Sequence, residues 1–269
     1  MQLLLGPPGL MTEFNFTIKT LEQPHLTAGR LGYFDKIGID MSGGIDSVAL
    51  LCLVISELKL TSSIHDYKIL CFTVKKDDGA TYYSARIVQK VSEFFGVDIE
   101  HINNEVNDLL NVPDAPRHVT NIDSIVRLHN RYSNLITYCG INKVPHSSVK
   151  EFEHSSETRS SQNYDYVTTD SGIICPLLNL HKPQILDIYY KLGCEDLLKW
   201  THSCVENLIG TCNACYSCEE RAWGFSSLVK DDPGTIVPNI SDISFNGTWI
   251  NPYNNNIGSV VESGLWQQS

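Results

Sequence analysis

A chain of 269 residues that is 42% hydrophobic and 19% charged can bury a sizeable core, as one large α/β domain with an appendage or as two small domains. No apolar run approaches the roughly 18–20 residues of a membrane span. The formal net charge of −11 argues against a long nucleic-acid footprint, because an acidic field repels phosphate backbones.

The nine cysteines need a compartment before they can be read. The opening residues lack a basic n-region, and Gly6-Pro7-Pro8-Gly9 interrupts their short apolar stretch, so they do not read as a signal peptide. The sequons at Asn15, Asn239 and Asn246 therefore carry little weight. The expected location is cytoplasmic, where thiols stay reduced and a tight cysteine cluster reads as a metal binder.

In chain order, residues 1–32 read as an extension. Phe14, Phe16 and Ile18 alternate with polar residues, which suggests an edge strand over 13–19. Met11 can equally be the start, with residues 1–10 a tag. From residue 35 a rhythm sets in: strand 36–40, apolar helix 47–58, strand 67–74, helix 81–95 stopped by Gly96, and strand 98–102. That alternation predicts a parallel sheet with crossover helices. Beyond it come a proline-bearing loop at 111–120, helical spacing at 121–132 and a strand at 135–141. A polar Ser/Glu/His-rich loop follows at 143–163, then an extended segment at 166–176. An amphipathic helix runs over 183–192, with proline in its first turn and Gly193 at its end. After Phe225 the chain is Asn-, Ser- and Gly-rich, a tail that wraps the body or is partly disordered.

The most informative stretch is Met41-Ser-Gly-Gly-Ile-Asp-Ser47, between the first strand of that rhythm and its helix. Gly43 and Gly44 let the backbone turn tightly and leave room for a phosphate at the helix N-terminus. Ser42 and Ser47 add hydroxyls, and Asp46 can orient the loop or help hold magnesium. The Gly-Lys-Ser/Thr ending of a Walker A loop and the third glycine of the dinucleotide fingerprint are missing.

Ser42–Ser47 resembles the PP-loop of the N-type ATP pyrophosphatases. The resemblance implies a Rossmann-like parallel sheet flanked by helices. It also implies a loop (Met41, Ser42, Gly43, Gly44, Ile45, Asp46, Ser47) that grips the pyrophosphate of ATP, with Mg2+. Adenine is then expected near Thr73, Val74 and Lys75. In that superfamily a substrate oxygen attacks the α-phosphorus, and a nucleophile then displaces AMP.

Cys204, Cys212, Cys215 and Cys218 fall within fifteen residues and provide four thiolates, enough for a closed tetrahedral site. Zinc in a structural role is favoured, and an iron–sulfur cluster is the rival. Cys52 and Cys71 read as buried packing residues. Cys175 reads as a nucleophile only in a thiolation enzyme. His202, two residues before Cys204, is either close to the metal or exposed. His146 and His154 read as solvated residues of the polar loop.

The resemblance narrows over Pro176-Leu-Leu-Asn-Leu-His-Lys182, Trp200-Thr-His-Ser-Cys204 and Cys212-x2-Cys-x2-Cys-x2-Arg221, followed by Gly224-Phe225. This order resembles the 7-cyano-7-deazaguanine synthases. It implies structural zinc on the four cysteines, phosphate or substrate contact at Lys182, and active-site support from Arg221. Ser42, Asp46, Ser47 and Lys182 are the implied catalytic set. The implied reaction adenylates 7-carboxy-7-deazaguanine and converts it with ammonia to the nitrile through the amide. The partners are then ATP, ammonia and a deazapurine acid, without membrane or nucleic acid, and a homodimer is compatible with this. The middle departs from the family pattern, with only a loose echo of Pro-x-Arg-Asn in Arg127-Leu-His-Asn-Arg131. A relative that stops at the amide, one that activates another acid, a tRNA-thiolating PP-loop enzyme and a non-catalytic ATP binder stay open. The domain reading is an extension at 1–32, an ATP-binding α/β domain at 33–193, a zinc-braced helical region at 194–227 and a tail at 228–269.

Overall fold

The computed structural model describes residues 1–18, 34–74, 80–104, 131–132, 134–143, 167–168, 173–207, 210–236, 248–250, 257–260 and 266–268. Lys75, the loop at 111–120, most of the helical spacing at 121–132, and His146 and His154 with nearly all of their loop lie outside them.

The first residues form a hairpin of their own, where the sequence suggested an edge strand. β1 (Gln2–Leu5) pairs antiparallel with β2 (Thr12–Asn15), placing Leu3 opposite Phe14. Leu5, Phe14 and Phe16 are buried in the main core. Gly6-Pro7-Pro8-Gly9 lies between the two strands, so residues 1–16, the first half of the stretch read as an extension, belong to the packed fold.

The main sheet comprises β3 (Lys36–Asp40), β4 (Lys68–Val74), β5 (Ile99–Asn104), β6 (Leu135–Cys139), β7 (Val167–Thr168) and β8 (Ile173–Ile174). Its order is β5-β4-β3-β6-β8-β7. All neighbours are parallel except β7, which runs antiparallel to β8 at the edge. Ile37 and Ile39 share one face of β3 and are buried in the main core, while Leu70, Phe72, Leu135 and Ile173 form a second buried cluster on the opposite face of the sheet. The segment at 166–176, expected to be one extended run, is instead this short antiparallel pair. The turn signal Asp170-Ser-Gly172 lies between its two strands.

α1 (Ile45–Leu60) is apolar nearly all round, and Val48 to Ile55 are completely buried. Such a helix must be covered on every side. The sheet covers one side, while α2 (Ala80–Phe95) and α3 (Lys182–Leu192) pack against the others. α3 also touches β1 and α4 (Tyr216–Ser227), and a 3-10 helix at Glu195–Trp200 leads from it toward the cysteines. The tail is not without regular structure: β9 (Thr248–Ile250), β10 (Ile257–Val260) and β11 (Trp266–Gln268) form an antiparallel sheet. Their short apolar patches are the strands, too brief to show a period in sequence. No helix among the described residues is long and apolar enough to cross a membrane.

Candidate active site and metal centre

The strand order reverses at β3, with β4 and β5 on one side and β6 and β8 on the other. In open α/β sheets, ligands bind in the crevice beyond the carboxyl ends of the strands at such a switch point. The loop at 41–44 leaves β3 there and enters α1. Met41 N–H still donates to Phe72 O at 2.8 Å, so the loop departs from a rigid base. Thr73 Oγ1 donates to Met41 O at 2.7 Å and lies 2.8 Å from Ser84 Oγ and 2.9 Å from His101 Nε2. Thr73 is thus a buried brace beneath the loop. Burial pushes the His101 imidazole down to about 4.

Gly43 has φ +80°, and a Cβ there would lie 2.8 Å from Ser84 N, so both conformation and the approach of α2 require glycine. Ser42 is exposed, and its Oγ lies 3.2 Å from Ser47 Oγ. Gly44 N–H donates to Ser42 Oγ at 3.3 Å, and Ser47 Oγ donates to Gly44 O at 3.2 Å. From the far side, His202 N–H donates to Gly43 O at 3.0 Å, and Tyr189 OH donates to Ile45 O at 2.7 Å. The loop is thus held by its neighbours at the N-terminus of α1, whose cap residue Gly44 supplies no side-chain hydrogen bond, and a helix N-terminus favours an anion.

Asp46 and Lys182, 136 residues apart, meet here: Lys182 Nζ donates to both Asp46 oxygens at 2.6 Å. The same Nζ is 3.2 Å from Glu220 Oε2, and Asn142 Nδ2 donates to Glu220 Oε1 at 2.8 Å. Lys182, Glu220 and Asn142 are all buried. The ammonium offsets the Asp46 charge where an anion would approach the helix. Glu220 and Asn142 were not legible in the sequence. Both are ordinary polar residues made important only by tertiary contact.

Arg221 is neither on the surface nor open to a substrate. It is 2% exposed and donates from Nε and Nη2 to the two Asp232 oxygens at 2.7 and 2.8 Å. It also donates to Thr201 Oγ1 at 3.0 Å and Gly234 O at 2.9 Å. Its five-donor fork is spent on tying α4 to the segments on either side.

The sulfur atoms of Cys204, Cys212, Cys215 and Cys218 all lie within 4.8 Å of one another. Zinc at roughly 2.3 Å from each sulfur would need them a little closer, a small contraction that fits this donor set. Main-chain N–H groups of Asn207 and Cys215 donate to Cys204 Sγ and Cys212 Sγ at 3.2 and 3.1 Å, as suits thiolates. Cys204 is drawn down to about 3 by hydrogen bonds from Cys215 and Cys218. The four can hold a metal ion. His202 stacks on Tyr83, with ring centroids 3.9 Å apart, and its Nε2 is 3.0 Å from Asn207 O. It therefore bridges the cysteine turn and the phosphate loop.

Of the single cysteines, Cys52, Cys71 and Cys194 are buried, and burial pushes the Cys71 thiol above its ordinary range. Cys139 and Cys175 are half-buried at the ends of β6 and β8, and Cys139 S–H donates to Asp40 Oδ2 at 3.5 Å.

Residues 146–229 match the family described as queuosine biosynthesis protein QueC, and residues 27–135 match asparagine synthase. The 7-cyano-7-deazaguanine synthase of Chromobacterium violaceum is 34% identical over 58 residues, which make up 22% of this chain and 25% of that protein. The match thus spans about a quarter of the curated relative. Among solved structures, the U34-tRNA thiolase NcsA of Methanococcus maripaludis, with its 4Fe-4S cluster, superposes with a TM-score of 0.43 at 14% identity, covering 77% of this chain and 69% of that one. The NMN synthetase of Francisella tularensis gives a TM-score of 0.37 at 15% identity, covering 59% and 61%. The matched families and the loop at the switch point define a PP-loop ATP-binding α/β protein. Within that class, residues 146–229 are similar to the queuosine biosynthesis protein QueC family and a 58-residue stretch to a 7-cyano-7-deazaguanine synthase.

Proposed function

We propose that this protein is an ATP-dependent C–N ligase that adenylates 7-carboxy-7-deazaguanine and converts it with ammonia to 7-cyano-7-deazaguanine. The observation that carries the reading is the multiply braced loop at 42–47, with Ser42 exposed at its tip, set at the sheet's switch point and backed by the Asp46–Lys182 pair. The carboxylate oxygen attacks the α-phosphorus of ATP, and pyrophosphate leaves. Ammonia then attacks the acyl adenylate, releasing AMP and a proton and giving the amide. The amide oxygen attacks a second ATP, again expelling pyrophosphate. Loss of AMP and a proton from the activated amide yields the nitrile.

The chain's own groups suit these steps. The amides at 43–47 and the hydroxyls of Ser42 and Ser47 stabilise charge on the departing pyrophosphate. Lys182 offsets Asp46 and keeps the phosphate approach from being repelled. The magnesium ion that accompanies ATP neutralises its phosphates when bound, with Asp46 as the loop's own carboxylate. Adenine is assigned to the end of β4, at Thr73, Val74 and Lys75. Cys204, Cys212, Cys215 and Cys218 are assigned to zinc, whose closed sulfur set serves as a cross-link. Four sulfurs this close support a single ion over a cubane cluster, whose thiolates stand farther apart.

The test is to incubate the purified protein with ATP, ammonium and 7-carboxy-7-deazaguanine and follow products by mass spectrometry. A nitrile, with AMP and pyrophosphate, is expected. An amide as final product replaces the second half of the reaction. Absence of acid-dependent AMP release overturns the reading. Metal analysis should find zinc at one equivalent per chain, and iron with sulfide would overturn that assignment.

A further inference from the structure

Lys182 occupies a costly position. It is the first residue of α3, where the positive end of the helix dipole disfavours a cation, and its side chain is 6% exposed. A buried ammonium persists only when paired and hydrogen-bonded. Asp46 supplies one counter-charge from the phosphate loop. The second comes from α4, the helix that carries Cys218, through a glutamate two residues further on.

The approach of α4 to the Lys182 stem is set by Gly224. A Cβ there would lie 2.8 Å from Lys182 Cγ and 2.7 Å from Leu186 Cδ1, so only glycine lets the helices come this close. Glu220, brought in by that crossing, has one oxygen held by Asn142 and the other on Lys182. Its own exposure is 3%, so water cannot take over its role at the lysine. From this arrangement we infer that Glu220 is a positioning residue: it fixes the Lys182 ammonium against Asp46, and so couples the metal-bearing helix to the phosphate loop. Asn142 orients Glu220 in turn. The inference rests on the nucleotide-binding role proposed for that loop.

The test is a double-mutant cycle on binding of the magnesium complex of a non-hydrolysable ATP analogue, using the full chain, with E220A, K182A and both together. Each single variant should weaken binding by about 10-fold to 10²-fold, the scale of a misplaced positioning group. The pair should be no weaker than K182A alone, because Glu220 acts only through Lys182. Metal content should stay at the wild-type value in E220A, so that the loss is not a lost ion. Additive losses, or unchanged affinity in E220A, overturn the inference. If E220A does not fold, E220Q keeps the volume and removes the charge, and the same cycle is run with it. A wild-type protein that binds no nucleotide sinks the proposed function and this inference with it. Nucleotide binding with additive variants sinks the inference alone.

Discussion

The two halves of the site are built from different materials. The phosphate-loop side (β3, α1, β4) is held by parallel ladders and an almost wholly apolar helix, with few polar side chains in its interior. The side formed by the 3-10 helix, the cysteines and α4 is held by sulfur atoms, one buried arginine and one buried glutamate. Apolar packing is non-directional and tolerates exchange of like for like. A polar or metal-tied region depends on each member, because an unpartnered buried charge costs far more than a lost contact gains.

That contrast predicts where the molecule breaks. The largest effect is expected from Cys215→Ser. It removes one ligand of the proposed zinc, whose binding energy in small metal domains is on the order of 10 kcal/mol. Limited proteolysis should then cut within 204–236, while main-sheet amides in β3 and β4 keep their hydrogen-exchange protection. Equal loss of protection in both regions would erase the contrast. Arg221→Ala comes next. It leaves the buried Thr201 and the Gly234 carbonyl without their donor, at about 3 kcal/mol by urea denaturation, while the partly exposed Asp232 is rehydrated. Arg221→Lys should recover only part of this, since an ammonium cannot reproduce the fork.

The smallest effect tests the apolar side by pH. His101 has a folded value of about 4, below the ordinary 6.5, because burial disfavours its charged form. A depressed folded value means that its contribution is fully present above pH 6.5 and is lost as pH falls from there toward 4. Roughly 2 kcal/mol of stability should disappear across that window, and His101→Asn should flatten this part of the stability–pH curve.

The same contrast explains what could be read from sequence. The strands and helices from 36 to 104 announce themselves through apolar runs and a helix-ending glycine, because local pattern and final burial agree there. The loop at 42–47, Lys182 and the four cysteines were visible as motifs. Glu220 and Asn142 were not, since their partners lie 38 and 78 residues away or more, and nothing local marks a residue for such a meeting. The N-terminal hairpin was missed for another reason. Gly6-Pro7-Pro8-Gly9 was read as an interruption of an apolar stretch, when it is the connection between two strands.

That hairpin has a consequence for how the chain is made. Gly6 N–H donates to Asp187, and Gln184 Nε2 donates to Leu10 O and Thr12 Oγ1, so β1 and β2 dock on a helix synthesised more than 170 residues later. The ribosome therefore releases Leu5, Phe14 and Phe16 long before their cover exists. A nascent chain stalled before residue 182 carries these apolar side chains without that helix, a natural site for chaperone engagement until translation delivers α3.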